Sequence, residues 1–77
     1  MRALLEYMAR QLVDQPDAVQ VRERAGRYNA TVTLELTVAP EDAGKVIGRG
    51  GRVAKALRSV LSVAAARDGK RVHLDIE

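Results

Sequence analysis

The stretch Gly44-Lys-Val-Ile-Gly-Arg-Gly-Gly-Arg52 sets four glycines and three bases in nine consecutive residues near the middle of a 77-residue chain. No regular element runs through so dense a glycine cluster, because glycine loses more backbone freedom on ordering than any other residue. The chain must turn between Ile47 and Arg52, so the segments on either side are separate, short elements. A chain of this length forms one domain, spanning residues 1–77, and buries only about 60–65% of its unfolded surface.

The elements around the cluster follow from periodicity. Residues 2–14 read as an amphipathic helix, with Leu4, Leu5, Met8, Ala9, Leu12 and Val13 on one face, stopped by Asp14-Gln15-Pro16-Asp17. Residues 18–24 alternate as a strand, and Ala25-Gly26-Arg27 is a turn. From Thr31 to Val38 the sequence TVTLELTV alternates without a fault, with Val32, Leu34, Leu36 and Val38 on one face. Pro40-Glu41-Asp42 opens a short helix, its carboxylates assigned to the positive end of the helix dipole. After Gly51 a longer helix runs to about Arg67, with Val53, Ala56, Leu57, Val60, Leu61 and Ala64 as its apolar face and Arg52, Lys55, Ser59 and Ser62 opposite. Asp68-Gly69 ends that helix. RVHLDIE is the last strand, with Val72, Leu74 and Ile76 inward. The order α-β-β-α-α-β implies an α+β fold, a three-stranded sheet covered on one face by three helices.

Charge narrows the function. Residues 43–67 hold Lys45, Arg49, Arg52, Lys55, Arg58 and Arg67 without one acid, a net +6, whereas the rest of the chain is −3 and the whole +3. Basic charge gathered on one glycine-rich segment points to a polyanion there. There is no cysteine and only His73, too little for a metal site. Apolar content is 47%, but the only aromatics are Tyr7 and Tyr28, so a base-stacking platform is not expected. No apolar run approaches the roughly 20 residues of a membrane span, and no secretion signal is visible, which predicts a soluble cytoplasmic protein.

Spacing decides among readings of the glycines. A P-loop counted from Gly44 requires glycine at position 49, which is Arg49. A dinucleotide fingerprint starting at Gly48 ends on Val53 instead of glycine, and 77 residues cannot hold its doubly wound sheet. A turn between two helices explains Gly48, Gly50 and Gly51 but leaves the surrounding bases unexplained. Glycines that admit close backbone approach, the start of a helix and flanking cations together describe a clamp for sugar and phosphate.

Ile47-Gly48-Arg49-Gly50-Gly51-Arg52 followed by Val53-Ala-Lys-Ala-Leu57 resembles the I-G-x-x-G motif and following helix of KH domains. A helix and a strand ahead of the core elements resemble the type II, bacterial topology. The segments LVDQPDAVQVRE, LTVAPEDAGKVIGRGGRVAKALRSV and KRVHLDIE are similar to the small bacterial single-KH proteins of the KhpA/YlqC family. The resemblance implies a groove for about four nucleotides of single-stranded RNA, bound with low sequence preference. Gly48, Arg49, Gly50 and Gly51 would lie along the RNA backbone, with Lys45, Ile47, Arg52 and Lys55 around them. Ile47, Val53, Leu57 and residues near His73 would border an aliphatic surface for the bases. Gly50 departs from the pattern by adding flexibility to the loop, and the short loop between Ala66 and Lys70 suggests a shallow groove.

The resemblance also implies an RNA chaperone or post-transcriptional regulator. Its partner would be a larger KH-containing protein of the KhpB/Jag type, or a second copy in a homodimer. The rival reading is a protein-interaction module in a ribosomal or cell-division assembly. No catalytic constellation is present, since Ser59 and Ser62 lack an adjacent base. No enzyme activity, cofactor, metal or small-molecule substrate is therefore expected.

Overall fold

A computed structural model describes residues 1–25 and 30–77. The expected turn at Gly26-Arg27, and Tyr28, lie outside the described residues. Helix α1 is Arg2–Leu12, strand β1 Gln20–Ala25, strand β2 Thr31–Thr37, helix α2 Ala43–Ile47, helix α3 Arg52–Arg67 and strand β3 Arg71–Ile76. Single 3₁₀ turns stand at Pro16–Ala18, Pro40–Asp42 and Arg49–Gly51. The element order is the expected one.

The unbroken alternation of β2 makes it the central strand. β1 lies antiparallel on one side, with Val21 opposite Leu36, and β3 lies parallel on the other, with Leu34 opposite Leu74. A parallel neighbour requires a crossover, and α2 and α3 supply it. The inward residues of the sheet meet Leu5 and Ala9 of α1, Val46 of α2, and Leu57 and Leu61 of α3. Leu5, Leu34, Leu36 and Leu61 are completely buried, each contributing about 1.5–3 kcal/mol. The outer sheet face is polar, with Arg24 paired to Glu35 and His73 to Asp75, both at 3.1 Å.

α1 ends at Leu12, earlier than expected, because Val13 is extended (φ −101°, ψ 160°). The apolar face expected for α3 is rotated. Its buried residues are Ala54, Leu57, Leu61 and Ala65, while Ala56 is exposed and Val60 is 45% exposed. Leu57 and Leu61 are the residues of α3 in the core cluster, and Val60 and Val63 lie on the exposed flank. The helix closes on Gly69: the Gly69 amide donates to Ala66 O at 3.0 Å and the Lys70 amide to Ala65 O at 2.8 Å. This pair of bonds satisfies the last carbonyls and fixes where Lys70 stands.

Candidate nucleic-acid interface

The glycine turn is built against the first turn of α3. Gly48 has φ 77° and ψ 170°, a region essentially reserved for glycine. A Cβ there would lie 2.5 Å from Val53 Cγ2 and 2.8 Å from the Val53 amide nitrogen. The loop closes through the Gly48 amide to Gly44 O at 2.8 Å and the Gly51 amide to Gly48 O at 3.1 Å. At Gly50 and Gly51 a Cβ would meet nothing within 4 Å, so this side of the turn is open to an approaching backbone. No side chain caps the start of α3; the Arg52 amide donates to Arg49 O, and the helix start carries the partial positive charge of its dipole.

The bases divide into two kinds. Arg49, Arg52 and Lys55 are exposed, and none meets a carboxylate among the described residues. Lys45 is engaged: its ammonium binds the Asp14 carboxylate and stands 3.4 Å from Asp42 Oδ1. The hydrogen bond to Asp14 is the main reason the Lys45 ammonium is held above its ordinary value, with burial opposing and Asp42 assisting.

Asp42 is the buried charge that sequence reasoning missed. Its carboxylate accepts from the Asp14 amide at 3.2 Å and the Gln15 amide at 3.0 Å. It stands at the N-cap of α2, the helix start expected from Pro40-Glu41-Asp42, and beyond that it satisfies two amides released where α1 ends and ties that end to the start of α2. Glu41 likewise accepts from Gln15 Nε2 at 2.6 Å. Burial works to raise the Asp42 carboxyl, but the amides of Gln15 and Asp14 and the Lys45 ammonium outweigh it and hold the group below its ordinary 3.8. Because α2 is only five residues long, this clamp fixes the direction in which α2 delivers Gly48.

The aliphatic border expected for the bases is divided. Ile47 is 41% exposed at the edge of the loop. Val53 and Leu57 instead line a hollow with Met8, Gln11 and Leu12 of α1, joined by Ala56 and Val60. His73 projects from the outer sheet face, away from the helices.

The geometry of a glycine turn between two helices, over a mixed sheet of this order, agrees with the family comparison. The family model for the KhpA/KhpB KH domain matches residues 2–76. The chain belongs to the KhpA/KhpB KH-domain family. It is 54% identical to the RNA-binding protein KhpA of Clostridium acetobutylicum over 76 residues, covering 99% of each chain. Its identity to the RNA-binding protein KhpA of Halalkalibacterium halodurans is 50%, over 99% of this chain and 97% of the relative. With the same-named protein of Aquifex aeolicus it shares 45%, over 99% and 94%. The KhpA/KhpB family is defined by a KH domain and not by a catalytic activity. Among the described residues no helix is long and apolar enough to cross a membrane, and no cluster of metal-ligating side chains occurs.

Proposed function

We propose that this protein binds single-stranded RNA in the cytoplasm by clamping the sugar-phosphate backbone at Gly48, Arg49, Gly50 and Gly51, as an RNA chaperone or post-transcriptional regulator. The observation that carries the reading is the exposed, acid-free surround of this turn. Arg49, Arg52 and Lys55 stand beside open glycine backbone and the start of α3, which no side chain caps. The naming of the relatives as RNA-binding proteins supports the same chemistry. Ile47 offers an apolar edge beside the clamp, and Lys45 acts through its ion pair by holding α2 in place.

A four-nucleotide footprint binds weakly, so avidity comes from a second RNA-binding module. That module is a larger KhpB/Jag-type chain or a second copy of this one. It docks on the apolar flank where Leu4, Leu12, Val60 and Val63 are exposed between α1 and α3. Titration of short mixed-sequence RNA over a salt series tests the clamp: three phosphate contacts predict a slope of log K on log salt near −2. No binding at physiological salt would remove this reading.

A further inference from the structure

The glycine turn leaves one charged group without a part in binding. Asp42 is the only buried charged side chain among the described residues, 1% exposed. A carboxylate kept out of water is costly, and near a polyanion site it also repels the ligand. The helix that follows it gives it a role. α2 has five residues, of which only Val46 is buried, so core packing alone restrains its tilt weakly. Asp42 stands immediately before it, and each carboxylate oxygen takes one backbone amide: Oδ1 that of Asp14 at 3.2 Å, Oδ2 that of Gln15 at 3.0 Å. Lys45 of α2 adds a third hold, 3.4 Å from Oδ1. The start of α2 is therefore pinned to the end of α1. Six residues on, Gly48 lies about 9 Å away at 1.5 Å per residue, so a tilt of about 10° moves it by roughly 1.5 Å. On its other side the turn is held at Val53, against which Gly48 packs.

We infer that Asp42 is a positioning residue for RNA binding: through α2 it holds the glycine turn in the geometry that grips the backbone, without contacting RNA itself. The inference rests on the clamp reading and adds to it a residue buried behind the turn. Electrostatics and positioning predict opposite signs. Removing a negative charge near a phosphate site should tighten RNA binding through long-range attraction alone. Removing it from the tether should weaken binding, because the turn is then correctly placed in only part of the folded population and apparent affinity falls by that fraction. Asp42→Asn isolates the tether. It keeps size and shape but replaces one carboxylate oxygen with an NH₂ group, which would face a backbone N–H, donor against donor.

The test measures binding of short mixed-sequence single-stranded RNA by wild type, Asp42→Asn and Glu41→Gln over a salt series, well below the Tm of each. Glu41 is exposed, and Glu41→Gln removes the same charge one residue away while leaving the Asp14 and Gln15 amides on Asp42. Asp42→Asn should bind about tenfold more weakly, as for a turn correctly placed in about one folded molecule in ten. The slope of log K on log salt should not change, because no phosphate contact is lost. Glu41→Gln should bind as well as wild type or more tightly. A second measurement needs no variant. By the reciprocity of linkage, RNA that favours the tethered position strengthens the tether by the same factor, so saturating RNA should slow hydrogen exchange at the Asp14 and Gln15 amides about tenfold relative to the β1–β2 ladder. Should Asp42→Asn fail to fold, the exchange measurement decides alone. Equal or tighter binding by folded Asp42→Asn, a flattened slope, or exchange at Asp14 and Gln15 that RNA leaves unchanged would overturn the positioning role and leave the clamp standing. Absence of RNA binding by wild type overturns both.

Discussion

Gly48 rests directly on Val53, so closely that the smallest side chain on Gly48 would come within 2.5 Å of Val53 Cγ2. Gly48→Ala therefore introduces both a collision and a backbone conformation that alanine rarely adopts. The expected cost is about 2–3 kcal/mol, which in a domain of this size lowers Tm by roughly 10–20 °C. Adding Val53→Ala should recover only part of the loss, because the Val53 amide nitrogen, at 2.8 Å from the same point, remains. Full recovery of Tm in the double variant would show that the backbone contact does not matter.

The Asp42 carboxylate makes stability depend on acid pH. Its folded pKa lies below the ordinary 3.8, so its contribution is fully present above that value and is lost as pH falls through the folded pKa. Asp42→Asn should destabilise the protein at neutral pH and flatten the fall in Tm below about pH 4. Parallel acid limbs for variant and wild type would contradict the clamp.

Lys45 and Arg52 flank the same turn yet should behave differently. Lys45→Gln should lower Tm and change the RNA salt slope little, while Arg52→Gln should keep Tm and flatten the slope by about 0.7. The Lys45 contribution to stability, present below its ordinary 10.5, should fade as pH rises through the higher folded value. Thermal melts between neutral and strongly alkaline pH read this directly, and an unaltered alkaline limb in Lys45→Gln would contradict the ion pair.

The apolar flank between α1 and α3 carries the association claim. Sedimentation should show a species heavier than the 8.4 kDa chain, either alone at tens of micromolar or with a KhpB-type partner. Val60→Asp should return it to monomer without unfolding it, since Val60 is 45% exposed. A wild type that stays monomeric in both settings would remove the flank as an interface.

Sequence patterns revealed whatever depended on local periodicity. The faultless alternation of TVTLELTV places β2, and the glycine cluster ends α2 where Gly48 begins. Hydrophobicity alone misplaces the apolar face of α3, because it favours Val60 over Ala54. Packing reverses the order: the direction in which Leu57 and Leu61 enter the core buries Ala54 and Ala65 and leaves Val60 45% exposed. Asp42 was illegible for another reason. Its partners are 28 and 27 residues earlier in the chain, and no spacing rule connects a carboxylate to amides freed by the end of a distant helix. The same clamp withdrew Lys45 from the group of free bases, although its sequence neighbourhood is like that of Arg49.

The central claim is that the glycine turn holds an RNA backbone, and the most direct measurement compares wild type with Arg49→Asp, Gly50→Asp on short single-stranded RNA at two salt concentrations. A Cβ on Gly50 meets no atom within 4 Å, and aspartate at its φ of 65° costs about 1 kcal/mol, so the variant should fold. The account predicts salt-sensitive binding by wild type and none by the folded variant. Equal binding by the two proteins would contradict it.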